Sequence, residues 1–157
     1  DAISATAALC EAAAYYKTKN MTLWDAMIQM YERYGYYKDD VKSVSLKGLE
    51  GLAKIQSIME NLRGSHPTTI GDYQVLSVRD YKLDKVTNLA TGEVTKTGLP
   101  VSNVMYYDLS DNAWLCVRPS GTEPKIKLYY GVKGTSLEDA AEKSAALGEV
   151  AMKMLEA

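Results

Sequence analysis

Phenylalanine is absent from this chain, histidine occurs once, and cysteine occurs twice among 157 residues. Cys10 and Cys116 are too few and too widely spaced for a disulfide framework or a metal site, so both are expected as buried free thiols. The single histidine, His66, stands in a G-S-H-P-T stretch without an acidic or nucleophilic neighbour in sequence; an exposed loop histidine is expected, not a general base. No D-x-D-x-D run or equivalent carboxylate cluster offers a hard cation its oxygens. No broad basic excess exists either, because the formal net charge is −2, which argues against nucleic acid or an acidic membrane as partner. No apolar run approaches the length of a bilayer span, and no secretory pattern precedes the first helical stretch, so a cytoplasmic location is expected.

With 46% apolar residues the chain can bury one sizeable core. Tyrosine, at twelve residues, takes the place phenylalanine usually shares; rings in the core with hydroxyls reaching outward are the default expectation. Residues 2–19 are Ala-rich and apolar nearly all round, as in a helix covered on most faces. Thr22 and Asp25 form a capping box ahead of a stripe of Leu23, Met27, Met30, Tyr31 and Tyr34, and Gly35 ends it. The two together predict a helical hairpin whose apolar surface invites self-association unless the rest of the chain covers it.

Beyond residue 36 the period changes. Val44 and Leu46 suggest a strand; Leu49, Leu52, Ile55, Met59 and Leu62 then recur at helical spacing until Gly64. Extended runs follow at residues 74–81, 104–109, 113–118 and 126–132. In the last, Ile126, Leu128, Tyr130 and Val132 share one face and Lys127 and Tyr129 the other. Asn112, in S-D-N, suits a tight hairpin between the second and third runs. Residues 84–98 read as a long loop or an irregular hairpin. Ser136 and Asp139 cap a final helix with a stripe of Leu137, Ala140, Ala141, Leu147, Val150, Ala151, Met154 and Leu155. The order strand, helix, four strands, helix predicts an α+β fold, a mostly antiparallel sheet with two helices on one face, preceded by the helical hairpin.

The run R-P-S-G-T-E-P-K at residues 118–125 is chemically the most pointed. Arg118 carries a planar fork of donors and Lys125 a second positive charge, both suited to a phosphate dianion. Ser120 and Thr122 add hydroxyls, and Gly121 lets backbone N–H groups approach an anion unhindered. Pro119 and Pro124 bracket the loop and lower its ordering entropy. The same composition also suits an ordinary solvated turn.

Together with L-P-V-S-N-V-M-Y-Y before it and K-I-K-L-Y-Y across its end, this run resembles the last domain of the α-D-phosphohexomutases, the phosphoglucomutases and phosphomannomutases, and within them the bacterial phosphoglucomutase branch. The resemblance implies a TATA-binding-protein-like fold for residues 38–157, a C-terminal phosphate-binding domain. Residues 1–37 would be the helical end of the family's third domain, with a hinge near residues 35–38; the opening D-A-I-S-A resembles sequence near that domain's end. It further implies that Arg118, Ser120, Gly121, Thr122 and Lys125 bind the phosphate of a hexose phosphate or bisphosphate, with Glu123 shaping the loop. No catalytic residue is expected in this chain: the family's phosphorylated serine, its magnesium-binding aspartates and its sugar-reading loop belong to domains expected upstream. The chain is therefore expected to be the C-terminal piece of a mutase that interconverts hexose 1-phosphate and 6-phosphate through a bisphosphate, inactive alone, with no cofactor of its own and magnesium in the parent. A stand-alone phosphosugar sensor or adaptor is the alternative.

Overall fold

The computed structural model describes residues 1–46 and 48–155, and the side chain of Leu49 lies outside the described residues. The chain divides into two compact units, Asp1–Tyr36 and Tyr37–Ala157.

In the first unit, helix α1 (Ala2–Lys17) begins where the Asp1 carboxylate accepts the N–H groups of Ile3 and Ser4. Helix α2 (Leu23–Tyr34) begins at Thr22, whose hydroxyl accepts the Asp25 N–H at 3.1 Å while the Asp25 carboxylate accepts the Thr22 N–H at 2.8 Å. This reciprocal box satisfies two of the amides a helix leaves open at its start. Gly35, at φ 110°, ends α2 in a conformation that side chains disfavour, and Tyr36 then stacks on Tyr31 with centroids 5.7 Å apart. None of the residues of α1 and α2 is buried. Cys10 is accordingly exposed, contrary to the sequence expectation, because no residue of its helix is buried.

The second unit is built on one sheet, with strands β1 (Tyr36–Ser45), β2 (Thr69–Ile70), β3 (Tyr73–Asp80), β4 (Lys85–Asn88), β5 (Val94–Thr95), β6 (Met105–Leu109), β7 (Trp114–Pro119) and β8 (Lys125–Gly134). Their spatial order is β1-β8-β7-β6-β3-β4-β5, with β2 paired to β3. The pairings of β2 through β8 are antiparallel. The end of β1 lies by the start of β8, where Leu46 donates to the Pro124 carbonyl, so β1 is antiparallel as well. Residues 84–98 form the irregular hairpin β4–β5, closed where the Asp84 carboxylate accepts the N–H groups of Thr97 and Gly98 at 3.0 and 3.2 Å.

Helices α3 (Gly48–Gly64) and α4 (Leu137–Lys153) pack on one face of the sheet, and the core lies between them and it. Ile58, Met59 and Leu62 of α3 and Leu147 and Ala151 of α4 meet Tyr107, Leu115, Val117, Ile126, Leu128 and Tyr130, the inward set that period-2 alternation selects. The stripes shift slightly from expectation. Leu52 and Ala141 are exposed, while Ile58, Ser144 and Gly148 face inward. Small residues win on α4 because the helix lies close to the sheet: a Cβ at Gly148 would collide with the Tyr130 hydroxyl. The Tyr107 hydroxyl is fully buried without a partner among the described residues, and burial pushes its phenol well above the usual range. A buried ion pair fastens α3 to the end of β3: Arg63 Nε lies 3.2 Å from the Asp80 carboxylate, which also accepts the Lys82 N–H at 2.9 Å.

The opposite face of the sheet carries Tyr106, Asp108, Trp114, Cys116, Arg118, Lys127 and Tyr129, residues that alternate with the core positions of β6, β7 and β8. Tyr106 stacks on Trp114 at 5.7 Å, the Arg79 guanidinium stands 5.2 Å from the Tyr106 ring centre, and Arg79 is held in a bidentate pair by Asp108. This face presents the hairpin β7–β8 and its loop.

Candidate functional site

Residues 120–124 connect β7 to β8 at the rim of the sheet. The ladder carries the strands right to the loop, with Arg118 opposite Lys127 and Pro119 opposite Ile126. The Ser120 N–H then donates to the Lys125 carbonyl at 2.7 Å, closing the hairpin. Within the loop, the Lys125 N–H donates to the Glu123 carbonyl at 2.7 Å. The Ser120 hydroxyl oxygen accepts the N–H groups of Thr122 and Glu123 at 3.4 and 3.3 Å, the local side-chain turn that serine favours. With its oxygen so engaged, Ser120 keeps its O–H free to donate outward. Both ends of the loop are thus anchored by backbone bonds while Gly121, Thr122 and Glu123 are exposed.

An open cavity of about 390 Å³ lies against this loop, lined by Arg118, Pro119, Ser120, Gly121, Thr122, Lys127 and Tyr129. Four of the expected phosphate-binding residues, Arg118, Ser120, Gly121 and Thr122, are therefore brought together. Lys125 is not among the lining residues; it opens β8 beside the loop, and the second cation of the cavity is Lys127. The reason is register. Lys125 and Lys127 both project to the outward face, since side chains alternate every second residue, but the antiparallel ladder sets Lys127, and not Lys125, directly across from Arg118. Sequence reasoning placed Lys127 and Tyr129 together on the outward face, but only the pairing shows which residues they adjoin.

The electrostatics suit an anion. The cavity is lined by two cations and three hydroxyl side chains, those of Ser120, Thr122 and Tyr129, and among the described residues by no carboxylate. Among the described residues neither Arg118 nor Lys127 takes part in an ion pair, the pairs being Arg63–Asp80, Arg79–Asp108 and Lys143–Asp139. The Lys127 ammonium stands 6.0 Å from the Tyr129 ring centre, at the outer limit of a cation–π contact. Cys116, the next outward residue of β7, is half-buried, and burial pushes its thiol up although the Arg118 charge opposes this. This disfavours the thiolate, the reactive form of the group. Elsewhere, exposed His66 lines a cavity of about 80 Å³ with Arg63, Asp80, Lys85 and Thr87. There Arg63 is already spent on Asp80, the Met59 carbonyl and Asn103. No group of three or more His, Cys, Asp or Glu stands together to hold a metal among the described residues, and no described helix is long and apolar enough to cross a membrane.

Residues 72–151 match the family model described as phosphoglucomutase/phosphomannomutase, C-terminal domain. The chain is also similar to phosphoglucomutases of Staphylococcus aureus. For strains RF122 / ET3-1 and MSSA476 the identity is 36% over 143 residues, which is 91% of this chain and 26% of the relative. For strain USA300 it is 35% over the same length. The chain thus spans about a quarter of the length of these curated relatives. The matched region contains the sheet from β3 onward, the loop at residues 120–124 and most of α4.

Proposed function

Since the chain belongs to the phosphoglucomutase/phosphomannomutase family through its C-terminal domain, we propose that residues 37–157 are the substrate-phosphate grip of a phosphoglucomutase-like enzyme. The observation that carries this reading is the cavity in which Arg118 and Lys127, from paired strands, converge with the Ser120 and Thr122 hydroxyls and, among the described residues, no carboxylate. A dianion there would meet two positive charges and a loop whose backbone is already ordered, so little entropy is lost on binding. The parent enzyme would interconvert hexose 1-phosphate and 6-phosphate through a bisphosphate. This loop would hold the phosphate at the end of the sugar that is not reacting, contributing orientation instead of bond making. The phosphorylated serine and the magnesium that such a reaction requires would be supplied by parts of the parent outside this chain, which by itself would turn over no glucose 1-phosphate.

The test is a titration of the ¹⁵N-labelled chain with inorganic phosphate, glucose 1-phosphate and glucose 1,6-bisphosphate, alongside Arg118→Ala. A lone loop should bind at about millimolar Kd, equivalent to about 4 kcal/mol. Saturable shifts centred on residues 118–127 and lost in Arg118→Ala are expected. Shifts that survive unchanged in that variant would sink the proposal.

A further inference from the structure

The loop at residues 120–124 is tied to the rest of its unit, among the described residues, by a single hydrogen bond outside its own hairpin. Leu46, at the exit of β1, donates its N–H to the Pro124 carbonyl at 2.8 Å. Leu46 is itself partly buried against the core, two residues before the start of α3 in sequence. What holds Leu46 there is the first turn of that helix. A Cβ built on Gly51 would stand 2.6 Å from the Leu46 carbonyl oxygen, 2.7 Å from its carbonyl carbon and 2.9 Å from its Cβ. Contacts this short to backbone atoms do not relax by rotating a side chain, so any larger residue at 51 must move either Leu46 or the start of α3. Gly51 is buried, and its helical position otherwise favours alanine, since glycine inside a helix costs about 1 kcal/mol relative to it. The close approach of Leu46 to the first turn of α3 accounts for the glycine.

We infer that Gly51 is a positioning residue for the phosphate loop, acting through the Leu46 N–H on Pro124. The inference rests on the reading of that loop as a phosphate grip. By letting α3 press on the end of β1, Gly51 sets where Leu46 presents its N–H. That N–H holds the C-terminal flank of the loop, opposite the flank that Arg118 and Pro119 hold through the ladder with β8. Loss of this brace leaves the loop held only within its own hairpin, through the ladder with β8 and the Ser120 bond to Lys125, so the hairpin tip shifts relative to the rest of the unit and the donors that converge on the cavity lose their common geometry. The effect propagates through a chain of two contacts, from Gly51 to Leu46 and from Leu46 to Pro124, without any direct contact between Gly51 and a ligand.

Three forms of the 157-residue chain test it. These are Gly51→Ala, the control Gly64→Ala in the same helix where a Cβ would meet nothing within 4 Å, and a semisynthetic chain with an ester in place of the Leu46 amide. The ester removes the donor and keeps the side chain. Two readouts apply to each, namely amide shifts and hydrogen exchange at residues 120–125 without ligand, and the Kd for inorganic phosphate. In Gly51→Ala the Ser120 and Lys125 amides should shift and exchange faster, and phosphate should bind about fivefold more weakly, the equivalent of one net hydrogen bond. Gly64→Ala should change neither. The ester should loosen the loop as Gly51→Ala does while α3 stays helical, and it decides the matter if Gly51→Ala does not fold. Unchanged loop exchange in a folded Gly51→Ala or in the ester chain overturns the brace. If the unaltered chain takes up no phosphate, the grip itself is refuted, and the ligand-free exchange still decides whether Gly51 positions the loop.

Discussion

Replacing Lys127 by Met should weaken inorganic phosphate binding about tenfold, whereas Lys125→Met should change it less than about twofold. The contrast follows from the ladder: Lys127 pairs with Arg118 across β7 and β8 and lines the cavity, and Lys125 does not line it. A unit charge about 4 Å from a phosphate oxygen gains about 4 kcal/mol at the effective dielectric of a protein surface and about 1 kcal/mol in water. Lys127 is half-buried in an open cavity, so its gain falls toward the lower figure once the desolvation of both ions and the ordering of its side chain are subtracted. About 1.4 kcal/mol remains, or tenfold in Kd. Lys125 does not line the cavity, and at physiological ionic strength charges outside it are screened over about 8 Å. The assay is an amide titration of each variant at low and at physiological salt, at alkaline pH where phosphate is a dianion. A larger loss in Lys125→Met than in Lys127→Met would show that the cross-strand placement argued from the register is wrong.

Two further predictions concern stability. Arg63→Met leaves the nearly buried Asp80 carboxylate with the Lys82 and Leu83 amides as its remaining donors, and should cost about 3 kcal/mol in urea unfolding followed by Trp114 fluorescence in a Trp24→Tyr background; a cost under about 1 kcal/mol would show that the pair contributes little. The Thr97 hydroxyl, aided by the Thr97 and Gly98 amides, holds the Asp84 carboxyl below the ordinary carboxylate range. Because the folded pKa is depressed, this stabilisation is fully present above the unfolded value of about 3.9 and is lost as pH falls through the folded one. Urea midpoints should therefore drop in that acid window and drop less in Asp84→Asn; an identical acid profile in the variant would remove Asp84 from the account.

Much of this protein is legible before folding because the determining forces are local. The box of Thr22 with Asp25, the Ser136 cap and the stop at Gly64 each depend on residues within one helical turn, and all appear where the sequence places them. Alternation along residues 126–132 likewise separates the core face from the outward face, since a strand's side chains alternate whatever it pairs with. The chemistry of the loop was readable too, as Arg118, Ser120, Gly121 and Thr122 are contiguous enough to be neighbours in almost any turn. Tertiary structure alone decided the rest. Which lysine completes the cavity depends on the pairing of β7 with β8, and Lys127 wins over the sequence-adjacent Lys125 because it faces Arg118 across the ladder. Why position 51 is glycine depends on how closely α3 approaches the end of β1, a distance that no local pattern encodes. Local rules act over a few residues of chain, whereas register and close approach are set by the packing of segments far apart in sequence, and the geometry of the site depends on both.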